Sequence, residues 1–428
     1  MGVIVIAVAV VVYALVTKRL ATTPITGAML FLLLGVAIGP AALDVIHGPQ
    51  DRRSIELLLE ATLALVLFTD SLAISGGDWH AKSRLPVRLL LIGMPLTMLA
   101  GWALARPLLP DLAWFEAALL AICLAPTDAA LGQAVVSNPR VPAVIRQALN
   151  IESGLNDGLA LPFFLLALAA AAEADAATGP GVVEVFVRSL VLAGVIGGLV
   201  GGIGASALTR ARDAGWVGRQ WSQIATLALV VVAFAATDAV GGSGFIAAWV
   251  AGVAFGRTTR GRVSDVSVLA EDLGSLLATV SFLGFGAILL GPILGHLTWQ
   301  AGVYAVLSLT LVRVVPVALA FAGVGAARPT LLYAGWFGPR GLASIVFGLL
   351  LIEEALPHGE EVVEAVFLTV ALSVIAHGVT AAWGADRYAG WFERAVAADR
   401  TIPEALDIGE PEVRRRLLAP GAPDPSAP

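Results

Sequence analysis

Apolar runs of about 17 to 25 residues, broken by glycine, proline and charge, recur thirteen times along the chain. They fall at 3–17, 25–41, 54–75, 86–108, 113–136, 148–172, 182–208, 222–240, 243–258, 267–292, 297–324, 330–354 and 361–384. Runs of this length predict membrane-crossing helices, so the expected fold class is an all-α polytopic membrane protein of about 13 transmembrane helices. The first run follows the initiator methionine with no charged leading segment and no small-residue cleavage site, and is expected to be a retained helix.

Composition and charge sharpen this picture. Of 428 residues 58% are hydrophobic and 14% charged, far from the make-up of a soluble domain. The charges gather in the short connections, so the net charge of −6 gives no reason to expect a nucleic-acid partner. Twenty of the 26 Lys and Arg lie in the connections at 18–24, 76–88, 137–147, 209–221, 257–266 and 325–329 and in the C-terminal tail. Arg52, Arg53, Arg106 and Arg188 fall on the other side, and Arg313 and Arg340 fall inside runs. Basic residues favour cytoplasmic connections, which places the N-terminus outside and the C-terminus in the cytoplasm of a multi-pass protein of the cell (inner) membrane. The single cysteine, Cys123, lies in an apolar run and excludes an intramolecular disulfide framework. Residues 385–428, rich in Pro and charge towards the end, are expected to form a mobile cytoplasmic tail behind a transmembrane domain of 1–384.

Two of the runs are interrupted. The fifth breaks at Pro126-Thr127-Asp128 and the twelfth at Gly338-Pro339-Arg340-Gly341. With the seventh run (182–208) as linker, six runs lie in each half, at about 1–172 and 222–384, and each interrupted run is fifth in its half. Paired broken helices of opposite direction are how inverted-repeat transporters build a site near the bilayer midplane. Inverted six-helix repeats with two crossing broken helices are therefore expected.

The polar residues in the runs lie at similar depth. From the cytoplasmic ends, Asp157 and Thr127 are roughly 13 Å deep, Arg340 roughly 15 Å and Asp70 roughly 8 Å. Charge at such depth calls for a partner or water. In ESGLNDG (152–158), Ser153 and Asp157 share a helix face from which Glu152 points away, so the two acids are expected to do different work. Asp157 is expected to hold either the transported cation or a proton, never both. Thr127, Ser153, Asn156 and backbone carbonyls freed by the break would complete an oxygen shell for an alkali cation, with Asp128 and Asp70 adding negative field. Glu152 is expected to pair with Arg340. On spacing alone, a helix-packing network with no ion site is the competing reading.

The sequence resembles the monovalent cation:proton antiporter-1 family, the sodium/proton antiporters of the bacterial NhaP and animal sodium/hydrogen exchanger type. FTDSLAI (68–74), APTDAAL (125–131), ESGLNDG (152–158), GSGFIAAWVAGVAFG (242–256), SFLGFGAIL (281–289), LVRVVPVAL (311–319), GPRGLASIVFGLLL (338–351) and SVIAHGVT (373–380) carry the resemblance. It implies an NhaA-like antiporter fold, exchange of sodium (or lithium) for a proton by alternating access, and a homodimer. Asp157 becomes the shared carrier, Asn156 the neutral neighbour that implies electroneutral one-for-one exchange, and Ser153, Thr127, Asp128 and Asp70 the rest of the site. Glu152 and Arg340 match the family's structural pair, and Arg313 an arginine that supports the core. No cofactor is implied. Ala129 and Asp70 depart from the pattern, where many relatives have Pro and Glu, and His377 stands where a polar residue is usual.

Other classes fit less well. Ser243 and His377, which superficially suggest an intramembrane serine protease, sit at opposite ends of their runs, so no enzymatic role is expected. No G-x-x-x-x-G-K-[ST] loop occurs, which argues against ATP-driven transport. A K+/H+ antiporter or a potassium-efflux transporter is the alternative.

Overall fold

The computed structural model describes residues 2–20, 23–46, 49–75, 84–128, 130–175, 181–259, 267–354, 356–398 and 404, and among them only helices and their connections occur. The helices are α1 (Gly2–Leu20), α2 (Gly27–Ile38), α3 (Pro49–Ser75), α4 (Arg84–Arg88), α5 (Met94–Leu108), α6 (Trp114–Cys123), α7 (Gln133–Ser137), α8 (Ala143–Asp175) and α9 (Val182–Asp213). They continue with α10 (Arg219–Asp238), α11 (Gly244–Thr259), α12 (Val268–Gly284), α13 (Gly291–Ile293), α14 (Trp299–Leu309), α15 (Leu311–Ala320), α16 (Arg328–Trp336), α17 (Leu342–Glu353) and α18 (Gly359–Ala397). Single π-helical turns at Leu89–Gly93 and Phe285–Leu290 join α4 to α5 and α12 to α13.

Every predicted apolar run is helical, and among the described residues seven helices are long and apolar enough to cross a membrane. Two runs are split by the breaks, into α6 and α7 and into α16 and α17. α18 runs to Ala397, well past the predicted end at 384. Its extension is amphipathic, burying Ala385, Tyr388, Ala389 and Ala395, a pattern that an apolar run does not reveal. Ala129, parts of the connections at 76–88 and 257–266, and the tail beyond Glu404 lie outside the described residues.

Close backbone approach organises the packing. α9 lies against α11 through Gly197 and Gly201, where a Cβ would run into the carbonyls of Ala247 and Ala251. α11 in turn meets α3 at Gly252, against Phe68 O and Ser71 Oγ, and Ser71 Oγ donates to Trp249 O at 2.9 Å. α2 meets the second π turn in the same way, at Gly35 and Gly39. Small residues permit this because hydrocarbon gives no hydrophobic drive between helices, and dispersion at short range has to hold them. α2, α3, α9, α10, α11 and α12 pack chiefly on one another; α5, α6 and α14 to α18 form a second group, and α8 contacts both.

α18 acts as a measuring rod for the second group. His358, just before its first turn, donates its backbone N–H to Glu116 of α6 at 2.8 Å. Tyr388, thirty positions and about 45 Å further on, meets Thr330 of α16 at 3.0 Å. The first halves of the two broken helices therefore start at opposite ends of α18. Ser373, halfway between, accepts from Arg340 N at 2.7 Å, so α16 reaches its break at mid-height.

Candidate functional site

The two breaks touch each other there. Asp128 N donates to Pro339 O at 2.8 Å, and Arg340 Nη1 donates to Ala125 O at 2.7 Å and Pro126 O at 3.1 Å. Each break frees carbonyls that no helical N–H reaches, and the guanidinium takes up two of them. The Asp128 carboxylate returns the exchange: Oδ1 accepts from Ala130 N at 2.8 Å and Oδ2 from Leu342 N, the first residue of α17, at 3.2 Å. An acid at a helix N-terminus meets free N–H groups and a favourable dipole. Gly341 is required at this point, since a Cβ would overlap the Asp128 carboxyl group.

α8 supplies the remaining polar groups. Along it, Glu152, Asn156, Ser153 and Asp157 fan out at roughly 0°, 40°, 100° and 140° around the axis. Thr127 sits over the middle of this fan. Its Oγ1 accepts from Asn156 Nδ2 at 2.7 Å and lies 2.9 Å from Ser153 Oγ. Asp157 occupies one flank, 7% exposed, with Oδ1 buried and bonded to no donor; Asn156 Oδ1 is in the same condition.

Glu152 occupies the opposite flank and corrects one expectation. Its partner is Arg313 of α15, in a two-pronged pair at 2.5 Å (Nη1 to Oε1) and 2.8 Å (Nη2 to Oε2), each side chain 2% exposed. The predicted Glu152–Arg340 pair is not formed: both carboxylate oxygens of Glu152 are taken by Arg313, while Arg340 turns its Nη1 to the carbonyls of the first break and leaves Nε and Nη2 without a partner. Of the carbonyls the first break frees, which were expected to help complete the cation's shell, Ala125 O and Pro126 O accept from Arg340. Gly338 lets Arg313 lie against the second break, where a Cβ would crowd its guanidinium.

The family profile described as "Sodium/hydrogen exchanger, transmembrane" matches residues 6–385. The chain belongs to that family. Its fold resembles that of the sodium proton antiporter MjNhaP1 from Methanocaldococcus jannaschii, with a TM-score of 0.74, 22% identity, and coverage of 91% of this chain and 99% of that one. Among curated relatives, the K(+)/H(+) antiporter NhaP of Alkalimonas amylolytica is 24% identical over 88% of this chain and 64% of its own length. A Na(+)/H(+) antiporter of Saccharomyces cerevisiae is 32% identical over 32% of this chain and 14% of its own. This exchanger-family chain thus spans less than two thirds of these relatives' lengths.

Within this exchanger-family fold the sequence-predicted residues separate into groups. Thr127, Ser153, Asn156 and Asp157 come together at the crossing. Asp128 is there too, with its oxygens committed to backbone donors. Asp70 lies on α3, in the first helix group. Three residues were not singled out as part of the site. Ser373 Oγ accepts from Arg340 N and lies 3.0 Å from His377 Nδ1, while His377 Nε2 lies 2.9 Å from Trp336 O. Nδ1 also lies 2.9 Å from Ser373 O, so the ring stands between two backbone carbonyls and can donate to one of them with each neutral tautomer. His377 is thereby a packed, hydrogen-bonded residue tied to both ends of the second break. The pair's four-residue spacing on a helix was the available signal. The third is Trp249, whose indole covers Gly158 so closely that a Cβ there would strike the ring.

Proposed function

We propose that the chain is a secondary antiporter that exchanges a monovalent cation for a proton, with Asp157 as the carrier of both. The observation that carries this reading is the pair of buried oxygens without a donor, Asp157 Oδ1 and Asn156 Oδ1, beside the Thr127–Ser153 hydroxyls at the crossing of the breaks. Buried acceptors are ordinarily satisfied, and either a hard cation or a carboxyl proton satisfies this one. One ionisable carrier beside a neutral Asn156 gives one charge each way, hence electroneutral one-for-one exchange. Opening the site alternately to the two faces of the membrane makes the exchange obligatory, with no covalent chemistry and no cofactor.

Sodium, with lithium, is the proposed cation, as the family's description supports. Potassium is the second reading, favoured by the K(+)/H(+) relative that matches far more of the chain than the yeast Na(+)/H(+) one. The opposite starting ends of α6 and α16 support six-helix inverted repeats around a linker, α9, within a transmembrane domain of 1–384. The basic-residue bias supports an outside N-terminus and a cytoplasmic C-terminus in the cell membrane. A homodimer is proposed through the outward face of α9, where Gly194, Gly198 and Gly202 have nothing within contact distance of a Cβ.

The test is dissipation of a preset pH gradient in proteoliposomes by sodium, lithium or potassium, with membrane potential clamped by an ionophore. Wild type should collapse the gradient and folded Asp157→Asn should not, with the ion series naming the substrate. Equal exchange by the Asn variant would remove Asp157 as carrier.

A further inference from the structure

Outside the crossing, the least explained buried acid is Glu404. It is 2% exposed, and its Oε1 accepts from Ala327 N at 2.8 Å and from Thr330 Oγ1 at 2.6 Å. Its Oε2 is also buried and has no hydrogen-bond partner. Burying a carboxylate is costly, so a surface tail residue would not be held this way by chance packing. Ala327 is the cap residue just before α16, and its methyl group offers the first turn no acceptor. Glu404, from 77 positions further along the chain, accepts from the N–H of that N-cap residue, the bond an acid three places into a helix makes in a capping box, where this helix has Thr330 instead; negative charge is favoured at this end.

α16 has nine residues, too few to be stable alone, so its placement depends on what holds its two ends. One end is the break that carries Arg340. The other is held by Glu404 together with an aromatic stack. Thr330 Oγ1 lies 3.0 Å from Tyr388 OH, and Tyr388 stacks on Tyr333 of α16 at 4.3 Å between centroids. Tyr333 OH donates to Val135 O of α7 at 3.3 Å, and its ring meets Phe337, the first residue of the break, at 4.9 Å. The tail residue is thus in touch with the starting end of one broken helix and, through one stack of rings, with the second half of the other.

We infer that Glu404 is a positioning residue for transport: by capping α16 it sets the height and angle at which the second break meets the first. The transport consequence rests on the antiport reading, whereas the capping does not. Because the cation's proposed ligands lie on α8 and the first break, loss of the cap should slow turnover and leave apparent cation affinity unchanged.

The experiment compares full-length wild type, Glu404→Ala and Glu404→Gln by amide hydrogen exchange and by gradient dissipation, with turnover counted per monodisperse protein. In the Ala variant the amides around 327–333 should lose protection at least tenfold, and turnover should fall about tenfold at unchanged half-saturating cation. The Gln variant, which keeps an oxygen acceptor, should stay within about twofold of wild type in both. Unchanged protection in Glu404→Ala would overturn the cap. Lost protection with wild-type turnover, or a Gln variant as impaired as Ala, would overturn the positioning role. Protection lost in the Ala variant when wild type itself exchanges no cation would leave the cap standing, overturn the transport role and remove the antiport reading.

Discussion

Glu152 and Arg313 are buried to 2% of their side chains, which makes each the other's condition for being there. Removing one partner of a buried pair leaves a bare charge and costs on the order of 3–5 kcal/mol. Glu152→Ala or Arg313→Ala should therefore lower the apparent melting temperature of the purified protein sharply. A swap, Glu152→Arg with Arg313→Glu, should recover part of the loss, and Glu152→Arg with Arg340→Glu should recover none; recovery by the second swap would restore the pairing with Arg340. Much of the site was legible here: the spacing of Ser153 and Asp157 and the polar break at Thr127 point to one another across two helices. The partner of Glu152 was not. Arg313 and Arg340 both lie within apolar runs, and sequence does not say that Arg340 would be needed by the carbonyls which the Pro126 break sets free.

Short pieces dominate at the level of the elements. α6 has ten residues, α16 nine and α17 twelve, all below the length at which isolated helices persist. What holds the breaks is their mutual bonding: Asp128 accepts at the start of α17, and Arg340 donates to the two carbonyls that follow the end of α6. Gly341→Ala places a methyl group where the Asp128 carboxyl lies. Overpacking of this kind costs about 1–3 kcal/mol, and here it should also unseat the Leu342 N–H bond. The variant is expected to melt lower and to lose cation-driven gradient dissipation, whereas Gly302→Ala, with nothing near its Cβ, should leave both unchanged. The breaks themselves could be read from Pro126 and Pro339, since proline removes a donor and sterically ends a helix. The last part of α18 could not, because Asp386, Arg387, Glu393 and Arg394 interrupt its apolar pattern. Asp386 and Glu393 bind Arg140 from the connection after α7, at 3.3 and 2.9 Å, so that polarity belongs to helix docking and not to a tail.

Across the whole molecule, two helix groups meet along α8, which carries Asp157, while Asp70 belongs to α3 of the first group. α18 spans the second group and fixes three separated contacts at His358, Ser373 and Tyr388. Inserting one alanine after Thr380 would turn the rest of α18 by roughly 100° relative to its first half. Tyr388 would then leave Thr330 while Ser373 stayed with Arg340. Such a variant should fail to give a monodisperse peak on size exclusion, and the same insertion after Ala397 should be tolerated; a well-behaved first variant would show that the three contacts are independent.

Cys123 closes α6 one residue before the chain unwinds towards Thr127, and its side chain has no solvent exposure. For thiol chemistry the native chain is consequently a blank. A cysteine placed at Ser153 or Thr127 would be the sole reactive thiol on the molecule, and its labelling by membrane-impermeant maleimides, added to one face or the other, would report directly which way the crossing is open.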